Sequence, residues 1–309
     1  MKSIKTSAPA TVANVCCGFD VLGFAVDAPA DEVILTLRSD KAVIVKSITG
    51  DGGRLPLDPA KNTASVAVQS YLNSIKSSQG VDIELIKKLP LGSGMGSSAA
   101  SAAAALVAIN HLMNEPLSRK ELIIHAMEAE RIACGSAHAD NVAPSLLGGF
   151  VLIREYSPLD VVNVPSPPEL YCTLIHPHLE LKTEDSRKVL RSSISLKDAI
   201  AQSGNIAALM VGLTQKDYGL IGRSLFDFIA EPTRSVFIPG FSEIRKKVID
   251  EGALGFGISG SGPTVFTLSK DAESAKRAGD AAVKHFTKMN LPADVYISQV
   301  NREGARILS

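Results

Sequence analysis

Between Pro90 and Ala100 the chain reads Pro-Leu-Gly-Ser-Gly-Met-Gly-Ser-Ser-Ala-Ala, with glycine at every second position from Gly92 to Gly96. What flanks this cluster makes it the strongest constraint on the fold. Upstream, Val81 to Ile86 alternates apolar and polar residues as a half-buried strand does. Downstream, Ser97 to Met113 is rich in alanine and has no internal Gly or Pro, so intrinsic propensity places a helix directly after the glycines. Glycine lets backbone approach an anion closely, and a helix N-terminus offers N–H groups and the positive end of a dipole. Strand, glycine loop and helix in this order form a cradle for a di- or triphosphate, and the hydroxyls of Ser97 and Ser98 are placed to add a phosphate or Mg2+ contact.

Two better-known phosphate loops are excluded. A Walker A loop ends in Gly-Lys-Ser/Thr, whereas this one ends in Gly96-Ser97-Ser98. A dinucleotide fingerprint needs G-x-G-x-x-G, but Ser97 occupies the third glycine position and no strand-ending acid follows at the expected distance.

At 309 residues the chain exceeds the length at which one core usually stops growing, so two domains are expected. Apolar residues at 45% and charged residues at 21% are those of an ordinary globular protein, which removes disordered and fibrous classes. The formal net charge is zero, so no basic field exists to attract nucleic acid. Cys16, Cys17, Cys134 and Cys172 show no framework spacing and read as free thiols of a reducing compartment. Lys2 and Lys5 are followed by Pro9, Asn14, Gly18 and Asp20 rather than by an apolar signal core. The longest apolar run, Ala102 to Ile109, falls short of the about 20 residues a membrane helix needs. A cytoplasmic protein without nucleic-acid or membrane partners is expected.

Strands are predicted at Ser3 to Ser7, Val33 to Leu37, Val43 to Ile48 and Val81 to Ile86, with a helix over Asn62 to Ile75. Ser118 and Glu121 form a capping box for a helix that Gly135 stops near Cys134. Asp160 to Pro168 carries three prolines and little periodicity, so the division falls there, giving domains 1–160 and 161–309. The second half reads as a strand at Tyr171 to Ile175, helices at Glu184 to Leu190, Lys197 to Leu213 and on to Glu251, strands at Gly255 to Ser259 and Thr264 to Leu268, a helix over Asp271 to Met289, and a strand at Ala293 to Ser298. That order is βαββαβ, the split arrangement of ferredoxin-like domains.

The cluster Pro90 to Ala100 resembles the ATP-binding motif of the GHMP kinases, and two further blocks resemble the same family. These are Ala10-Thr11-Val12-Ala13-Asn14 through Gly18-Phe19-Asp20, and Gly255 to Thr264 around Gly260-Ser261-Gly262. The stretches His138 to Pro144, Gly148 to Val151 and Glu231-Pro232-Thr233-Arg234 are similar to the homoserine kinases within it. The pair Cys16-Cys17 departs from the small residues common there. The resemblance implies an α+β, two-domain GHMP kinase fold. Its N-terminal mixed domain would be like ribosomal protein S5 domain 2 and bind ATP, and its C-terminal domain would be ferredoxin-like. It implies phosphorylation of L-homoserine by ATP and Mg2+, in threonine biosynthesis from aspartate. Homodimers are frequent in this family, so a homodimer is an expected assembly.

Homoserine is a zwitterion with one extra hydroxyl, so its pocket needs a carboxylate for the ammonium and a guanidinium fork for the carboxylate. By resemblance, Asn14 and Asp20 hold the amino end, Arg187 and Arg234 the carboxylate, and His138, Asp140 and Asn141 the hydroxyl end, with Thr183 lining the same pocket. Asp140 and Asn141 stand nearest the chemistry. Asp140 is either a general base or an aligning group, since a loose transition state barely deprotonates the attacking oxygen. ATP falls to the loop itself: Pro90, Leu91, Gly92, Ser93, Gly94, Met95, Gly96, Ser97, Ser98, Ala99 and Ala100. Asn62 is a nucleotide contact or a helix cap.

For Mg2+ the candidates are Ser98 and a helix carboxylate. Glu128 and Glu130 point in nearly opposite directions, so one alone can face the phosphates, and the resemblance selects Glu130. Cys172, His176 and His178 lack a fourth ligand and receive no role. Two alternatives stand beside this reading: a GHMP kinase for another alcohol such as mevalonate, and a nucleotide-binding regulator without turnover.

Overall fold

The computed structural model describes residues 2–179, 181 and 183–308, with the side chains of 133, 134 and 183–185 excepted. Strands β1 (Ser3–Ala13), β2 (Leu22–Leu37) and β3 (Val43–Thr49) lead to helix α1 (Thr63–Ser74), strand β4 (Val81–Ile86) and helices α2 (Ser97–Leu112), α3 (Ile123–Cys134) and α4 (Val142–Leu147). A hairpin of β5 (Phe150–Tyr156) and β6 (Leu159–Val164) follows. The first sheet has the order β11-β1-β2-β4-β3, where β11 is the short C-terminal strand Arg306–Ile307, with β5 paired to the start of β2 and with β3 and β4 parallel.

Helix α2 is the centre of this half: every residue from Ala99 to Asn110 is buried, against β1, β2, α1, α3 and α4. Alanine makes that possible, because a surface of methyl groups lets strands and helices approach on all sides. Thr6 of β1 comes close enough to donate its hydroxyl to the Ala104 carbonyl at 2.8 Å.

The second half runs β7 (Tyr171–Pro177), α5 (Thr183–Lys188), α6 (Leu196–Gln215), α7 (Tyr218–Ser224), α8 (Glu231–Arg234), α9 (Phe241–Asp250), β8 (Gly255–Ile258), β9 (Val265–Ser269), α10 (Ala272–Lys288) and β10 (Ala293–Gln299). Its sheet has the antiparallel order β10-β7-β9-β8, the ferredoxin-like arrangement expected from the βαββαβ pattern. Ile244, Val248, Phe256 and Phe286 form a core between that sheet and α9 and α10. Strand β11 (Arg306–Ile307) then returns to the first sheet beside β1.

Three expectations change. The segment after Asp160 is not irregular at its start, because Leu159–Val164 pairs with β5, so residues up to Val164 lie in the first sheet. The Ser118–Glu121 box forms, with the Ser118 N–H donating to Glu121 at 2.7 Å, yet regular helix begins only at Ile123. The strand predicted at Ser3 to Ser7 continues to Ala13, since Ala8 to Ala13 are buried on both faces and show no alternation.

Candidate active site

The glycine loop joins β4 to α2. Gly92, Gly94 and Gly96 have φ of 65°, 81° and 69°, a region other residues seldom enter. A Cβ on Gly96 would collide with the Thr11 hydroxyl and come within 2.9 Å of Asn141 Oδ1, and one on Gly94 would lie 2.8 Å from the Gly262 carbonyl. The Gly260-Ser261-Gly262 turn thus packs against the loop. Ser259 Oγ donates to the Gly94 carbonyl at 2.8 Å, and the Thr264 N–H to the Ser93 carbonyl at 3.1 Å.

A cleft of about 380 Å3 opens at the tip of α2. Leu91, Gly92, Ser93, Gly94, Gly96, Ser97 and Ser98 line one end of it. The Ser97 hydroxyl is buried and has no hydrogen-bond partner among the described residues. An unsatisfied buried hydroxyl costs about 1–3 kcal/mol, which an oxygen of a bound phosphate would offset. Pro90, Met95, Ala99 and Ala100 shape the loop and the first turn of α2 without lining the cleft. Asn62 lines the cleft and caps α1, its Oδ1 accepting from the Ala64 N–H at 3.1 Å and its Nδ2 donating to the Pro56 carbonyl at 3.1 Å. Both ends of that amide are already engaged.

Across the cleft the turn between β1 and β2 meets the second half of the chain. Arg187 Nη2 donates to Asp20 Oδ1 at 2.9 Å and its Nη1 to Oδ2 at 3.3 Å. Arg234 is buried on α8, donating from Nε to the Ser186 carbonyl and from Nη1 to the Gly260 carbonyl, each at 3.1 Å. Both guanidiniums lie over the Phe19 ring, at 6.0 and 5.3 Å. Burial and then Arg187 press the Arg234 pKa down, while Asp20 opposes them. Asn14 donates to the Gly260 carbonyl at 2.8 Å and accepts the Asp20 N–H at 3.0 Å, tying the turn to the Gly260 loop.

Between these ends sit Glu130, His138, Asp140 and Asn141, all lining the cleft. Asn141 Oδ1 accepts the Thr11 hydroxyl at 2.7 Å. Asp140 is buried, and its pKa is pushed up to about 7, first by desolvation and then by the charges of Asp20 and Glu130. His138 Nδ1 lies 3.9 Å from Asp20, and burial lowers its pKa against that carboxylate's pull. Thr183 begins α5, but its side chain lies outside the described residues.

Lys87 was missed in the sequence. Its buried ammonium pairs with Asp31 and donates to the Ser97 carbonyl at 2.9 Å and to Ser101 Oγ at 2.8 Å, directly beneath the start of α2. Burial lowers its pKa against the pull of Asp31. The signal was in the strand period: Val81, Ile83 and Leu85 face the core, so Lys87 is next, and Asp31 likewise precedes Val33 and Leu35 on β2. Cys16, Cys17 and Cys172 are buried free thiols, with Cys17 raised to about 12 by desolvation.

The GHMP kinases N terminal domain family matches residues 61–149, and the GHMP kinases C terminal family matches residues 209–288. Over 320 residues the chain is 54% identical to a homoserine kinase of Chlorobium phaeobacteroides, covering 100% of both. A crystal structure of homoserine kinase from Cytophaga hutchinsonii is 55% identical and superposes with a TM-score of 0.97, covering 100% of this chain and 98% of that one. A mevalonate kinase of L. major in complex with R-mevalonate, at 17% identity, TM-score 0.69 and 96% coverage of each chain, shares the fold alone. With both family domains matched and more than half of all positions identical to such relatives from end to end, the chain belongs to the homoserine kinases of the GHMP kinase family.

Proposed function

We infer that this chain transfers the γ-phosphoryl group of ATP to the side-chain hydroxyl of L-homoserine, yielding O-phospho-L-homoserine and ADP in threonine biosynthesis from aspartate. One observation carries the reading: Asp20, Arg187 and Arg234, a set matched to a zwitterion, share one cleft with the phosphate loop. A mevalonate pocket has no ammonium to satisfy and no use for the Asp20 carboxylate among the arginines.

The amides from Leu91 to Ser98 and the α2 dipole hold the ATP tail. Asp20 and Asn14 take the ammonium of homoserine, Arg187 and Arg234 its carboxylate, with Thr183 beside them. His138, Asp140 and Asn141 surround the hydroxyl. In a loose transition state most of the catalysis is positioning and charge stabilisation. Asp140, with its pKa near 7, accepts a hydrogen bond from the hydroxyl and takes up its proton late. We assign the ATP end to the first half of the chain and the amino-acid clamp to the second, with Asn14 and Asp20 reaching across.

Mg2+ fits this donor set. Ser98 and Glu130 are hard oxygen ligands lining the cleft, and the negative charge that raises Asp140 is the kind a divalent cation offsets. Among the described residues no cluster of three or more His, Cys, Asp or Glu forms a closed metal site, and Mg2+ needs only one or two protein ligands beside phosphates. When bound it neutralises charge on the β- and γ-phosphates. A homodimer acting in the cytoplasm completes the reading.

ADP release measured with homoserine, mevalonate, galactose and no acceptor tests it. Turnover with homoserine alone is expected; equal turnover with mevalonate would remove the assignment of the clamp.

A further inference from the structure

The two sides of the amino-acid clamp come from distant parts of the chain, the turn from Asn14 to Asp20 and helix α8 with Arg234. One buried side chain joins them. Gln202 of α6 is 4% exposed. Its Nε2 donates to the Cys17 carbonyl at 2.7 Å and to Asp227 Oδ1 at 3.0 Å, and its Oε1 accepts the Phe228 N–H at 2.9 Å. Turning the amide over would set its oxygen against two acceptors, so one orientation alone satisfies it.

Each end of this clasp controls something. Asp227 also accepts the N–H groups of Ile229, Ala230 and Glu231 at 2.8, 3.0 and 2.8 Å, which sets the entry into α8. At the other end, Asn14, Val15 and Cys16 hold φ of 72°, 44° and 56°. Three successive non-glycine residues in that region are strained, and such a turn persists only where its surroundings over-determine it. The Gln202 bond to Cys17 is one tether, and the Gly260 N–H donating to Ala13 at 3.2 Å is another.

We propose that Gln202 is a positioning residue for the amino-acid clamp: by clasping Cys17 and Asp227 it sets the spacing of Asp20 from Arg234 and so the fit of the zwitterion. The proposal rests on the homoserine reading. Gln202 does not line the cleft, so it acts through the two segments it joins.

The test is Gln202→Met, which keeps length and volume but loses all three hydrogen bonds, assayed beside wild type. The KM for homoserine should rise about tenfold or more, while the KM for ATP stays within about twofold and kcat changes little. Val248→Ala, a cavity in the core behind the second sheet, is the stability control: it should lower Tm and leave both KM values alone. A Gln202→Met enzyme that loses Tm yet keeps the wild-type homoserine KM overturns the proposal. Should that variant fail to fold, Gln202→Asn, with the amide one methylene short, replaces it, and an unchanged homoserine KM there overturns the proposal equally. A wild-type enzyme without homoserine turnover overturns the reading beneath it, whereas wild-type turnover with unmoved variants overturns only the role of Gln202.

Discussion

Arg187 and Asp20 grip each other through two hydrogen bonds, at 2.9 and 3.3 Å, in the fork geometry with which a guanidinium holds a carboxylate. In the proposed function, homoserine entering the clamp exchanges that single ion pair for two, its ammonium on Asp20 and its carboxylate on the arginines. Asp20→Asn removes the proposed partner for the ammonium, so the KM for homoserine should rise by roughly 10- to 100-fold, the worth of a hydrogen bond to a charged group, with the KM for ATP unchanged. Arg234→Leu should do the same from the carboxylate end. Steady-state kinetics with each substrate varied in turn decide both.

Asp140 should make stability and, in the proposed reaction, turnover depend on pH in opposite senses. Its pKa is higher folded, about 7, than the ordinary 3.8, so the native state holds the proton more tightly than the unfolded chain does. Stability from this group is greatest below pH 3.8 and falls as pH rises toward 7. Asp140→Asn should therefore match wild type near pH 4 and exceed it by a few kcal/mol at pH 8 in denaturant unfolding. The wild-type kcat/KM should climb through pH 7 as the carboxylate forms in the free enzyme, and the Asn variant should lose that limb and most of its turnover.

Glu130→Gln keeps the shape of a buried side chain and removes its charge. Turnover should need about tenfold more Mg2+ for half-saturation, and the Asp140 limb of the pH profile should shift to lower pH, because one of the charges that raises it is gone. A Mg2+ titration at fixed ATP tests the first point.

Gly96→Ala forces a methyl into Thr11 and Asn141 at a left-handed φ. It should cost about 1–3 kcal/mol of stability and raise the KM for ATP more than that for homoserine, since Gly96 opens the helix whose amides are proposed to hold the phosphates. Thermal unfolding with and without ATP reads both effects.

Lys87→Met leaves the Asp31 carboxylate buried without its cation. A loss of about 3–5 kcal/mol is expected, the usual result of breaking a buried pair. Removing both charges, in Lys87→Met with Asp31→Leu, should restore much of it in a double-mutant cycle.

The elements legible in the sequence were those with a local cause. The Ala-rich α2, the alternating β4 and the βαββαβ order need no knowledge of distant partners, and the glycine loop declares itself by composition. Strands β5 and β6 escaped because the pairing of β5 with β2, which the β6 strand extends by pairing with β5, is set by tertiary contact, and the prolines after Val164 give the end of the hairpin the look of a linker. In the site, charged residues in loops announced themselves through motifs. Lys87 did not, because a lysine after a strand reads as surface unless the register of β2 against β4 is followed one step further. Phe19 is a similar case: its use as a floor for Arg187 and Arg234 depends on helices from the other half of the chain.

Strand β11 sets Ile307 opposite Thr6 and Arg306 opposite Ser7. A ribosome making this chain has produced the whole second sheet and its helices before the first sheet can be finished, so that edge of β1 waits, unmatched, through most of synthesis. Closing so long a loop is slow, and an unfilled strand edge invites association with other chains. Folding helpers in the cell should therefore engage this protein at its first strand, and changes that weaken β11 should lower its yield more than its activity.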